Sequence, residues 1–281
     1  MIRIPLTACP SGIDMEVYEL GDGTPEVAIV GAIHGDEPCG SRAIRRLLAA
    51  DPAVERPVRL IIANEEALAD GVRYLESDLN RSFPGDPEAD THEERLAARV
   101  LDAVDGCTTL AIHSTQSYAE PFAVIDSMDE VARAVAPHLP VDVVIETDAF
   151  TEGRLIEHPH TLEVEAGLQG SDTAADNAYW LARAFLAATG VLSAPGAEGV
   201  VDAGGREAVD VFRLRDRIPK PDADEYEVFA NNFERVEVGE AFAAADGETF
   251  QAVEPFYPVL LSPYGYRDQF GYVADRVGTI E

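Results

Sequence analysis

The chain has 281 residues, 46% of them hydrophobic and 7% aromatic, enough to bury a sizeable core in one large domain or two unequal ones. Its 52 acidic against 21 basic residues give a formal charge of −31, which disfavours nucleic acid and anionic membrane surfaces as partners. No run approaches the roughly 20 apolar residues of a membrane span, and MIRIPLTACPSG at the start has no apolar stretch of signal-peptide length.

EVAIVGAI (26–33) is a β-branched apolar run that reads as a buried strand. Pro38 then opens a helical stretch, GSRAIRRLLAA, and VRLIIA (58–63) is a second buried strand followed by a long polar loop through NRSFPGD. HEERLAARVLDAV (92–104) has the spacing of an amphipathic helix, and TTLAIH (108–113) is a strand ending on a histidine. FAVID (122–126), a helix near 129–136, VDVVIE (141–146) and TLEVEAG (161–167) continue the alternation. DTAADNAYWLARAFLAATG (172–190) is a well-marked helix with Gly190 suited to its C-terminal cap.

Strands alternating with helices predict an α/β fold, an open sheet covered by helices on both faces. SAPGAEGVVDAGG (193–205) then reads as a linker, and the remainder as short strands and turns: EAVDVFRL, YEVFANNF, GETFQAVE, YPVLLS and the stretch around 266–280. The expected organisation is a catalytic α/β domain over 1–195 and a small C-terminal all-β domain over 205–281.

The strongest local signal is Gly31-Ala-Ile-His34-Gly35-Asp36-Glu37, at the end of the first buried strand, where open α/β sheets place their ligands. An imidazole and a carboxylate suit Zn²⁺, and Gly35 allows a tight turn between them. The HxxE spacing alone also fits a polar turn. His113 ends another apolar strand, and with His34 and Glu37 completes the three-ligand set of a catalytic zinc that keeps one position open. On its own, His113 also reads as a polar group of the core. His92, His138, His158 and His160 lie in surface or loop contexts. Glu163 and Glu165 share one face of their strand; either could be a surface carboxylate, but Glu165 at the strand end could act as general base. Arg73 and Asn80-Arg81 lie in GVRYLESDLNRSFPG (71–85) and offer donors matched to a carboxylate, though surface arginines also pair with surface acids.

HGDE, RYLESDLNRSFPG, the strand-end His113 and EAGLQG, in this order, resemble the aspartoacylase and succinylglutamate desuccinylase family. Its members are zinc-dependent N-acyl-amino-acid amidohydrolases akin in fold to the zinc carboxypeptidases. The resemblance covers nearly the whole chain. It implies a mixed-sheet, zinc-carboxypeptidase-like domain binding one Zn²⁺ per chain through His34, Glu37 and His113. It puts Glu165 in the general-base position and Arg73 where the family polarises the scissile carbonyl. Asn80 and Arg81 stand where the carboxylate of the acyl part is held. Tyr266 matches a tyrosine that contacts substrate, and Arg154, with a one-residue gap, an arginine that binds the amino-acid carboxylate. Two departures stand out. The family often has Asp-Leu-His at the third ligand where this chain has Ala111-Ile112-His113, which removes a hydrogen-bond partner for the metal site. Asn64-Glu65-Glu66-Ala67 stands where relatives often have Asn-Pro.

The expected activity is hydrolysis of the amide bond of a small-molecule N-acyl amino acid, a carbon–nitrogen bond other than a peptide bond. Rivals are a carboxypeptidase acting on short peptides and a non-catalytic zinc-binding protein on the same scaffold. No nucleic-acid or membrane partner is expected, and a homo-oligomer is left open. Cys9, Cys39 and Cys107 are odd in number and irregularly spaced, which points to a reducing, cytoplasmic location and away from a disulfide framework.

The acids are dispersed along the chain and Lys220 is the only lysine, a halophilic pattern in which salt screens the repulsion between hydrated carboxylates. The melting temperature is therefore expected to rise from low to molar salt. A melting temperature unchanged across that range would contradict the halophilic reading.

Overall fold

The structure, a computed structural model, describes residues 2–3, 15–150, 154–193 and 208–281. The elements in chain order begin with β1 (Ile2–Arg3), β2 (Glu16–Leu20), β3 (Val27–Gly31), α1 (Cys39–Ala50), β4 (Val58–Ile62) and α2 (Glu65–Asp70). Next come α3 (His92–Val104), β5 (Thr108–Thr115), β6 (Phe122–Ile125), α4 (Glu130–Val135), β7 (Val143–Glu146), β8 (Thr161–Leu168) and α5 (Asp172–Ala188). The last stretch holds β9 (Val209–Pro219), β10 (Tyr226–Val228), β11 (Ala241–Ala245), β12 (Glu248–Gln251), β13 (Tyr257–Val259) and β14 (Gln269–Ile280).

One 11-stranded mixed sheet runs in the order β1-β2-β4-β3-β5-β8-β6-β7-β9-β14-β13. Its central strands β4, β3, β5 and β8 are parallel neighbours and read as continuous apolar runs because both faces are covered. Val27 and Ile29 pack with Ile44 and Leu47 of α1 and Leu181 and Phe185 of α5. Ala28 and Val30, one residue out of phase, pack with Leu96 and Val100 of α3 on the opposite face. This is the α/β sheet with helices on both faces that the alternation predicts.

Local signals explain the helix ends. Thr91 caps the start of α3, its Oγ1 accepting from the Glu94 amide at 3.3 Å and donating to Glu94 Oε2 at 2.6 Å. Ser171 Oγ accepts from the Ala174 amide at 3.0 Å and starts α5. Gly190 takes φ +71° just beyond the end of α5, the left-handed cap its position suggests.

Three segments differ from the sequence expectation. The polar loop after β4 contains α2, started by Asn64, whose side chain accepts from the Ala67 amide at 3.3 Å. A short 3₁₀ turn at Leu79–Arg81 follows in the same stretch. Strand β2, EVYEL, carries no strong signal by itself and is fixed by antiparallel pairing with β4. Strand β11 is AFAAA, poor in β-formers, and is held between β10 and β12. The linker expected near 193–205 lies almost wholly outside the described residues. The segment after it is all-β: β10–β12 form a 3-stranded sheet of their own, while β9, β14 and β13 continue the main sheet beyond β7.

Close backbone contacts set the position of the loop after β3. A β-carbon on Gly31 would lie 2.6 Å from the carbonyl carbon of Gly40, so α1 rests directly on β3. A β-carbon on Gly35 would lie 2.1 Å from the carbonyl carbon of Ala67 in α2. Gly35 is thus required by the approach of α2, and it donates from its amide to the Arg73 carbonyl at 3.1 Å. Gly35→Ala is expected to lower unfolding free energy by about 1–3 kcal/mol, the usual cost of overpacking. Chemical denaturation measures this, and an unchanged midpoint would show that α2 can shift without cost.

Candidate active site and metal centre

Because β3, β5 and β8 are parallel neighbours, their C-terminal ends open on one edge of the sheet. His34 follows β3, Glu37 lies just before α1, and His113 on β5 stands in register with Glu165 on β8. His34, Glu37 and His113 are buried, each at 4% exposure or less. Glu37 Oε1 accepts from His34 Nδ1 at 2.9 Å and from Arg73 Nη1 at 3.0 Å. Its Oε2 accepts from His113 Nδ1 and from the Ser114 amide, both at 3.1 Å.

One ligand atom from each of His34, Glu37 and His113 lies within 4.8 Å of the others. Two imidazole nitrogens and a carboxylate oxygen, all buried and converging, form a donor set that could hold a divalent metal ion. Among the described residues no other His, Cys, Asp or Glu cluster does so. The rear nitrogen of His34, Nε2, is 2.9 Å from Asp78 Oδ1, which leaves Nδ1 as the nitrogen facing Glu37. A hydrogen bond of this kind would orient the ring for ligation through Nδ1.

Protonation follows the same contacts. Burial alone would lower the His34 pKa, but the Glu37 and Asp78 carboxylates outweigh it and raise it. His113 behaves alike: burial opposes the charge, yet the Glu37 hydrogen bond and the nearby Glu163 push the pKa up to about 9. The surrounding carboxylates thus favour the protonated form of both rings, and metal binding at such a site is coupled to proton release. Glu165 goes the other way. Burial, and then the negative charge of Glu37, push its carboxyl up to about 7, the range suited to a group that both takes and returns a proton near neutrality. Its Oε2 has no hydrogen-bond partner.

The second half of the cleft is cationic. Arg73 is anchored by Glu37 and, through Nε, by Asp78 Oδ2 at 3.1 Å. Asn80 is buried, with Oδ1 accepting from the Leu155 amide at 3.1 Å and Nδ2 donating to Glu163 Oε1 at 3.4 Å. Arg81 donates to the Asn80 carbonyl at 2.6 Å, and Arg154 to the Tyr272 hydroxyl at 3.4 Å. Neither Arg81 nor Arg154 has an ion pair with a described carboxylate. Burial and then the charge of Arg154 lower the Arg81 pKa, the mark of two cations sharing one cleft. Burial and the Tyr272 hydroxyl raise the Tyr266 pKa, so Tyr266 stays a neutral donor.

All the site residues expected from sequence line this one cleft, whose volume out to its open mouth is about 840 Å³, within the range of small-molecule sites. Sequence reasoning passed over Asp78, Tyr272 and Glu93. Asp78 opens the Asp-Leu-Asn-Arg run, and only its contact with His34 shows its part. Glu93 looked like a first-turn acid of a surface helix, yet it is fully buried. It accepts from the amides of Leu75, Glu76 and Ser77 at 2.7, 3.1 and 3.1 Å and from Asn64 Nδ2 at 3.2 Å. It therefore holds the loop between Arg73 and Asp78.

The fold and this cleft define a class of α/β protein with solved members. The chain matches a crystal structure of succinylglutamate desuccinylase/aspartoacylase from Rhodobacter sphaeroides at TM-score 0.72 and 20% identity, over 94% of this chain and 89% of that one. It matches a product-bound structure of the ectoine utilization protein EutE (DoeB) from Ruegeria pomeroyi at TM-score 0.71 and 20% identity, over 96% and 89%. Murine aminoacylase 3 matches at TM-score 0.69 and 18% identity, over 92% and 98%. These likenesses establish a shared fold. The sequence goes further: residues 23–131 match the succinylglutamate desuccinylase/aspartoacylase catalytic domain, so the resemblance carried by the motifs is shown over the stretch from β3 to α4. That stretch contains His34, Glu37, Arg73, Asn80, Arg81 and His113; Arg154, Glu165 and Tyr266 lie beyond it. No curated protein matches the chain by sequence.

Glu93→Ala is expected to leave several amides of the Arg73–Asp78 loop unpaired, at about 1–3 kcal/mol for each buried group left without a partner. Hydrogen exchange at residues 75–77 should accelerate. Unchanged protection there would show that the loop is held by other contacts.

Proposed function

We propose that this protein is a zinc-dependent hydrolase that cleaves the amide bond of a small N-acyl amino acid. The observation that carries the reading is the pairing of two features in one cleft. A buried His/Glu/His donor set with a proton-accepting carboxylate beside it lies next to Arg81 and Arg154, cations without ion-pair partners among the described residues. In a chain of charge −31, arginines with no described carboxylate in ion-pair contact point to a ligand that brings its own carboxylate.

Zinc held by His34, Glu37 and His113 supplies Lewis acidity toward water and toward the substrate carbonyl when bound. Glu165 takes the proton of the attacking water and returns it to the leaving amine nitrogen, a double role that its raised pKa favours. Arg73, fixed by Asp78, directs its guanidinium to the side of the cleft where the carbonyl oxygen gains charge. Arg81 and Arg154 bind carboxylate, with Tyr266 as a neutral donor beside them. Asn80 ties the Arg81 turn to Leu155 and so fixes the spacing between the two arginines.

The match of residues 23–131 to the desuccinylase/aspartoacylase catalytic domain supports deacylation, and the cationic half of the cleft supports an acidic substrate. A hydrolysis panel of acetyl-, succinyl- and longer N-acyl amino acids alongside short peptides, with zinc-loaded protein in high salt, tests the reading. Turnover of an N-acyl amino acid in preference to peptides is expected, and preference for peptides would overturn it. Glu165→Gln should keep zinc and lose roughly 10²–10⁴-fold in turnover; a fully active variant would remove Glu165 from the mechanism.

A further inference from the structure

We infer that Glu163 is a positioning residue for His113, its carboxylate on β8 facing the histidine nitrogen that is turned away from Glu37. The inference rests on the metal reading above.

The two histidines of the donor set are unequal at the back. His34 presents Nδ1 to Glu37 and has Nε2 hydrogen-bonded to Asp78 at 2.9 Å. His113 presents Nδ1 to Glu37 in the same way, but its Nε2 is buried and has no hydrogen-bond partner. The acid facing that nitrogen is Glu163, whose Oε1 lies 3.9 Å away. An imidazole that ligates through one nitrogen is oriented by what its other nitrogen donates to, and a carboxylate is the usual partner.

The register explains why the partner comes from the neighbouring strand. Ala111 pairs with Glu163, and His113 with Glu165, across the parallel ladder of β5 and β8. Side chains two apart on a strand share a face, so positions 111, 113, 163 and 165 crowd one surface. A carboxylate at 111 or at 163 therefore reaches the same space behind His113. Here position 111 is a fully buried alanine, which leaves that space to Glu163. Glu163 has few other demands on it. It is 5% exposed, and one long hydrogen bond from Asn80 Nδ2, at 3.4 Å, is its other polar contact among the described residues. A carboxylate so deeply buried is costly unless cationic or N–H partners face it; Asn80 Nδ2 and the charge of Arg154 supply part of that, and His113 Nε2 is the facing group still without a hydrogen bond among the described residues. Asn80 Nδ2 donates to the same Oε1 that faces His113 Nε2, so one motif residue touches both the arginine turn and the carboxylate behind His113.

The test is zinc affinity of the full chain in molar salt, measured by competition with a chelating indicator, alongside the melting temperature of the metal-free protein. Glu163→Gln keeps the shape and removes the charge; zinc should bind about 10- to 100-fold more weakly. Ala111→Asp added to Glu163→Ala should recover at least tenfold of the affinity that Glu163→Ala loses, because the carboxylate returns from the other strand. A purely structural Glu163 would lower the metal-free melting temperature and leave zinc affinity alone. Glu163→Gln with parent-like zinc affinity overturns the inference, as does a double variant that binds no tighter than Glu163→Ala. If Glu163→Gln does not fold, the double variant decides against the parent: affinity within tenfold supports the inference and a greater loss overturns it. A parent that binds no zinc would overturn the metal reading and this inference together, whereas equal binding by parent and variants overturns this inference only.

Discussion

Glu37 is a carboxylate buried at the meeting point of two strands and a helix, and the site is arranged around the need to satisfy it. Both of its oxygens are used, accepting from two imidazoles, a guanidinium and a backbone amide. A carboxylate at such depth would be strongly destabilising without this shell. Those partners lie far apart in sequence, at positions 34, 73, 113 and 114, so satisfying one charge brings β3, the Arg73 loop and β5 together. Gly31, Gly40 and Gly35 allow the approach by letting α1 and α2 lie against the β3 end at distances that a β-carbon would forbid.

Much of this was legible in the sequence wherever a short-range signal coincided with a long-range demand. The strands at 27–31, 58–62 and 108–115 were readable because burial on both faces makes them continuously apolar. His34 and His113 stood out because each ends such a run, where an imidazole has little reason to be unless it is used. Asp78 and Glu93 were not legible. Their roles arise from contacts 44 residues away to His34 and across 16 to 18 residues to loop amides, and neither residue differs locally from the many acids around it. Strand β11 was missed for a related reason: its alanines carry no β preference, and only its two neighbours make it a strand.

The charge of the whole chain sharpens the chemistry of the cleft. A molecule of charge −31 repels anions at a distance, and salt shortens the range of that repulsion to about 8 Å or less at or above physiological ionic strength. Inside the cleft the balance reverses. Arg81 and Arg154 are close enough for one to depress the other's pKa, and they have no acid in ion-pair contact among the described residues. Concentrated salt would therefore mute the unfavourable long-range field while leaving the short-range, desolvated contacts to a carboxylate largely intact.

The cleft also draws on parts of the chain that the sequence pattern separates. The donor set and Glu165 come from β3, β5, β8 and the loops between them, whereas Tyr266 and Tyr272 come from the segment after residue 208. That segment is tied in by hydrogen bonding: β9 pairs with β7, and β14 pairs with β9. Tyr272, on β14, takes the hydrogen bond from Arg154, and its ring meets Tyr266 edge-on at 6.0 Å. The cationic end of the cleft is thus braced by strands continuous with the sheet that carries His113 and Glu165. A shift of β14 against β9 would move Tyr272, and with it the hydrogen bond that anchors Arg154, relative to Glu165. Continuity of the sheet is what holds the two ends of the cleft in one geometry.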